Sequence, residues 1–160
     1  MKRLSFFFVV FQTLILSSML VVSPHALAGG IVVEGARSVP VPPNVPMAGY
    51  MIIVNESGQE DSVVGASASA ADFGMVMVHE SIEEDGVAKM RHIHAVPLPK
   101  GETVVFKPKG FHLMLMQPQH RFVEGDEFLI TIQFGSGATQ DVTFTVVSRD
   151  ELGVTGGHSH

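Results

Sequence analysis

The sequence has 160 residues, with 10 Lys and Arg against 16 Asp and Glu, a formal net charge of −6, and no cysteine. Without cysteine there is no disulfide framework, and a lipoprotein anchor is excluded. An acidic chain also lacks the basic surface that nucleic-acid recognition requires.

Lys2 and Arg3 precede an apolar run over residues 4–22, which Pro24 ends, and Ala26-Leu27-Ala28 follows. Charge, apolar stretch and small-residue site in that order predict a secretory signal peptide, residues 1–28, cleaved after Ala28. The competing reading is an uncleaved anchor, because the run approaches the length of a membrane span. Cleavage implies a periplasmic protein with no stable membrane insertion. The remaining 132 residues suit one domain with its own core, and loss of Lys2 and Arg3 takes the formal charge to −8. That domain is expected over residues 29–150, with a flexible, histidine-containing tail over residues 151–160.

Ile31-Val32-Val33 opens the domain as a short strand. The four prolines within residues 39–46 forbid helix and sheet interior, which leaves an extended surface loop. Residues 47–54 alternate, with Tyr50, Ile52 and Val54 on one face, and Asn55-Glu56-Ser57-Gly58 supplies a turn. Residues 62–66 form another strand, and the small, polar residues 67–73 a loop. Three further segments alternate in an unusual way. Val76-Met77-Val78-His79-Glu80, residues 88–94 and residues 112–116 each carry histidine and methionine at strand parity. Thr103 to Phe106 adds a strand. Phe128, Ile130, Ile132 and Phe134 then mark a half-buried strand, and Val142, Phe144 and Val146 another. No convincing 3.6-residue period occurs. The chain is therefore expected to be all-β, a β-sandwich or small Greek-key barrel.

On the segment at residues 112–116, Leu113 and Leu115 form a core face, and His112, Met114 and Met116 point the other way. Asp85-Gly86 signals a hairpin that returns Met90 to the neighbourhood of His79. One turn centre makes the two directly opposed and the other makes them diagonal; both keep them on one face, because the side-chain period is two. His79, Met90, His112 and Met114 then form a neutral set of two imidazoles and two thioethers. Thioethers favour Cu(I) over harder ions. A neutral set also releases the ion more readily than a thiolate cage, which suits a carrier.

The spacing H-x10-M-x21-H-x-M resembles the signature of the PCuAC-type (DUF461) periplasmic copper chaperones. His79-Glu80, Asp85-Gly86, Lys89-Met90-Arg91, Lys107-Pro108, Phe111-His112-Leu113-Met114-Leu115-Met116, Glu124-Gly125-Asp126 and Ala36-Arg37 also look like that family. The resemblance implies a cupredoxin-like β-barrel that binds Cu(I) at His79, Met90, His112 and Met114. It implies a monomer that is not an enzyme and delivers copper to a partner. That partner would be a cytochrome c oxidase subunit, at its binuclear copper site, or a second copper chaperone. The chain departs from the family where Gly35 replaces a frequent tryptophan and His92 a frequent proline.

Other residues carry plainer expectations. Met47, Met51 and Met75 should fill core, as strand methionines usually do. Met77 and Met116 share the ligand parity and are expected as a hydrophobic collar. His92 and His94 share the parity of Met90 but should lie farther along the strand than the metal. His120 should be a surface residue, and Glu80, Glu83, Glu84 and Asp85 a solvated hairpin tip. His158 and His160 suit an accessory Cu(II) clamp, since imidazole accepts the harder ion. Alternative functions are copper storage or resistance, and electron transfer. The last would need the cysteine of a His2Cys blue-copper site. A mature terminus at Gly29 also lacks the histidine of N-terminal-histidine monooxygenases.

Overall fold

The computed structural model describes residues 30–84 and 86–153. Period-two alternation governs them, giving ten strands and, among the described residues, no helix. In chain order they are β1 (Ile31–Ser38), β2 (Met47–Asn55), β3 (Asp61–Ala68), β4 (Phe73–Glu84), β5 (Val87–His92), β6 (Val96–Leu98), β7 (Thr103–Phe106), β8 (Phe111–Pro118), β9 (Glu127–Phe134) and β10 (Thr139–Val146). Across the sheet the order is β5-β4-β8-β2-β1-β10-β9-β3-β6, and β7 pairs with β2 beside β8. β1 and β10 run parallel; the other pairs are antiparallel. β3, near one end of this order, packs beside β4, near the other, so the sheet curls toward closure.

The alternating residues fill one core. Met47, Met51 and Ile53 of β2 are buried, as are Phe128, Ile130, Ile132 and Phe134 of β9 and Val142, Phe144 and Val146 of β10. Phe73 stacks on Phe122 and meets Phe128 edge-on, each with centroids 5.0 Å apart. Phe128 in turn stacks on Phe144 at 5.6 Å. Gly49 permits this packing: a Cβ there would sit 3.1 Å from the Phe144 ring and 3.3 Å from the Leu113 Cβ.

Two elements and one side chain differ from the sequence expectation. β1 runs on to Ser38 through an irregularity between Glu34 and Arg37, where Gly35 takes a φ of +59°. β6 was not foreseen, because three residues around Pro97 carry no period; it forms by pairing with β3. Met75 is not core filler but 50 % exposed. It has the parity of Met77 and His79, so it stands on the outer face of β4, while Val78 fills the core.

Candidate metal site

The site occupies the outer face of β5, β4 and β8, at one end of the sheet order. Leu113 and Leu115 of β8 are fully buried beside Val78 of β4, and that packing fixes which residues turn outward. By alternation these are Met75, Met77, His79, Ser81 and Glu83 on β4, Ala88, Met90 and His92 on β5, and His112, Met114 and Met116 on β8. His79 pairs with His112 on one side and with His92 on the other. Three imidazoles thus form a row across three strands, with ring centroids 6.0 Å apart for His79–His112 and 5.8 Å for His79–His92. The next pair along β4 and β8 is Met77 with Met114, and the next Met75 with Met116.

The β4–β5 hairpin takes the second of the two registers open to the sequence. Glu84 pairs with Val87, and Gly86 supplies a φ of +75° in the loop. His92 therefore faces His79 directly, and Met90 faces Ser81, diagonal to His79. The structure thus selects the register in which His92, rather than Met90, is the direct partner of His79. Diagonal neighbours are about 7–8 Å apart, within reach of an unbranched thioether. Met90 is 62 % exposed, so no packing holds it away from the row. His94 lies beyond the end of β5, its ring centroid 4.8 Å from that of His92.

Two local features suit the inner pair for a metal. The Nδ1–H of His112 donates to the Gly110 carbonyl at 2.9 Å. A carbonyl only accepts, so that bond sets the tautomer and leaves the Nε2 lone pair for a ligand. The Nδ1 of His79 is buried without a hydrogen-bond partner among the described residues. Burial, then the neighbouring imidazoles of His112 and His92, push the His79 pKa down. It is thereby held in the neutral form that a metal needs. No three His, Asp or Glu side chains among the described residues already surround one point. An ion would be held only with thioethers, or after rotation of exposed rings.

On the other face of the hairpin Arg91 pairs with Glu80 at 2.7 Å and Lys89 with Glu84 at 2.6 Å. His120 stands apart on the surface, its Nε2 3.1 Å from Asp72 Oδ1, and that hydrogen bond raises its pKa. The signal segment and the His158/His160 clamp lie outside the described residues. A surface groove along Ile31, Gln59, Phe134 and Gln140 shares no residue with the imidazole row.

A family model described as "Putative lipoprotein LpqE-like" matches residues 31–146, the span from the first strand to the last. The chain belongs to this family. This LpqE-like chain is 32 % identical over 85 residues to "Putative lipoprotein Lxx21020" of Leifsonia xyli subsp. xyli, covering 52 % of its own length and 50 % of that protein. It spans about half the length of the curated relatives it matches. Among solved structures it resembles that of CuI-DR1885 from Deinococcus radiodurans, with 29 % identity and a TM-score of 0.62, covering 77 % of this chain and 82 % of that one. The copper-bound PCuAC domain from PmoF2 shares the fold at 21 % identity and a TM-score of 0.62, covering 76 % of this chain and 95 % of that domain. The described residues of the LpqE-like chain thus form one all-β, cupredoxin-like domain of the PCuAC type.

One pH dependence follows from the imidazoles. A histidine with a lowered folded pKa stays neutral below the ordinary value near 6.5, and bound metal must compete with protons only below that. Metal retention should therefore hold at pH 7 and decline as pH falls below about 6, since thioethers do not titrate. The metal-free fold should also lose stability as pH falls from about 6.5 toward the lowered His79 value, because the unfolded chain takes that proton more readily. Metal retention measured by dialysis that stays unchanged from pH 7 to pH 4 would remove the histidines from the ligand set.

Proposed function

We propose that this chain is a Cu(I)-binding metallochaperone of the periplasm, holding the ion with His79, Met90, His112 and Met114. The observation that carries the reading is the pairing of His79 with His112, two residues from Met114, on a face the core packing turns outward. Neutral imidazole and thioether donors together suit Cu(I); the carboxylate of Glu83 shares the parity of His79 on β4 but lies four residues on, at the exposed hairpin end. The Deinococcus relative, 29 % identical, is named in its Cu(I) form, which agrees with the donor chemistry.

Delivery follows from where the donors sit. β5 is the end strand of the sheet order and all six of its residues are exposed. A partner can approach Met90 first and replace ligands one at a time, while His112 is retained until last. No anionic cage is left behind when the ion departs. The recipient is a copper-accepting membrane oxidase, at the binuclear copper site of cytochrome c oxidase, reached directly or through a second chaperone. The residues take no catalytic role in this reading. The signal at residues 1–28 supports export to the compartment where that site is assembled.

A competition titration with a chromogenic Cu(I) chelator tests the reading. One Cu(I) per chain is expected, with Zn(II) competing poorly. Displacement of Cu(I) by an equal concentration of Zn(II) would overturn it.

A further inference from the structure

We propose a second, outer metal position formed by His92 and His94 with His79 as a shared third donor, which takes a divalent ion, Cu(II) foremost. The His92–His94 ring centroids are 4.8 Å apart and the His79–His92 centroids 5.8 Å. With metal–nitrogen bonds of about 2.0 Å, two imidazoles on one ion place their centroids no more than about 6 Å apart. Both separations lie inside that limit. His92 and His94 are exposed, so their rings can turn onto an ion without disturbing the core.

The chemistry of this position differs from that of the inner pair. Its three donors are imidazoles, which accept Cu(II) and Zn(II), and Cu(II) is the more tightly held of the two in a given nitrogen site. The inner pair has Met77 and Met114 beside it, whose sulfurs favour Cu(I). The cationic residues of β5 itself, Lys89 and Arg91, are turned to the opposite face and paired with Glu84 and Glu80, so neither opposes an ion at His92. Because His79 belongs to both positions, the two are filled one at a time. The inference rests on the copper reading above only for the choice of metal.

The test uses the full chain carrying His158→Ser and His160→Ser, so that tail imidazoles do not compete. Cu(II) is added without reductant and read by electron paramagnetic resonance and by chelator competition; Cu(I) affinity is measured in parallel. Three coupled nitrogens are expected in the Cu(II) spectrum. His92→Ala and His94→Ala should each weaken Cu(II) at least tenfold and leave Cu(I) within twofold, and Met114→Ala should do the reverse. Cu(II) affinity within twofold of the parent in both histidine variants would overturn the outer position. So would equal losses of Cu(I) and Cu(II) in His92→Ala, since His92 would then belong to the inner site. Failure of the parent to bind Cu(I) would count against the proposed function alone, and the Cu(II) outcomes would still decide this inference.

Discussion

His112→Ala should weaken Cu(I) binding at least tenfold, about 1.4 kcal/mol. Only 5 % of His112 is exposed, and its Nδ1–H is tied to the Gly110 carbonyl, so Nε2 is aimed before any ion arrives. A donor held in place needs no ordering on binding, which is why its loss should exceed that of an exposed one. Met90, exposed and diagonal to His79, must be drawn in, and Met90→Ala should cost less than His112→Ala. Removal of a buried ring also leaves a void, so the variant is first checked for a cooperative melt. Met114→Ala, a half-buried side chain on the same face, gives the second reading without that void. Folded His112→Ala protein that binds Cu(I) within twofold of the parent would show that the ion sits elsewhere.

Leu113→Ala should act on the fold and spare the site. Leu113 is fully buried between Val78 of β4 and Gly49 of β2, one residue from two proposed ligands but on the opposite face. Truncation of a buried leucine costs about 2–5 kcal/mol, from lost burial and the cavity left behind. For a domain of this size the melting temperature should fall by roughly 10 °C. Cu(I) affinity, measured well below the melt, should stay near that of the parent. A denaturant titration that finds less than about 1 kcal/mol lost would mean the inner and outer faces of β8 are misassigned.

Much of this was legible because a strand has only two faces. Phe128, Ile130, Ile132 and Phe134 take every second position of β9, and all four are buried as the pattern requires, while Leu129 between the first two is exposed. Leu113 and Leu115 likewise fixed which way His112 and Met114 turn. The hairpin register was not legible, since Asp85-Gly86 allows two turn centres and parity is the same in both. The choice between them decides whether Met90 or His92 faces His79. Met75 was misjudged because a methionine fits a core and a metal-facing surface equally well. Its neighbours Met77 and His79, two and four residues on, carried the signal that it belongs outside. The Gly110 bond that orients His112 and the partnerless Nδ1 of His79 depend on ring positions that no residue pattern encodes.

The pairing of Met77 with Met114 adds a sulfur that the H-x10-M-x21-H-x-M spacing omits. Met77→Ala beside Met90→Ala separates a collar residue from a ligand. The central claim, that imidazoles and thioethers jointly hold Cu(I), is tested most directly by X-ray absorption on the Cu(I)-loaded chain. Two sulfur and two nitrogen neighbours are expected, with one sulfur lost in Met114→Ala and one in Met90→Ala. A first shell of nitrogen and oxygen alone, unchanged in both variants, would contradict it.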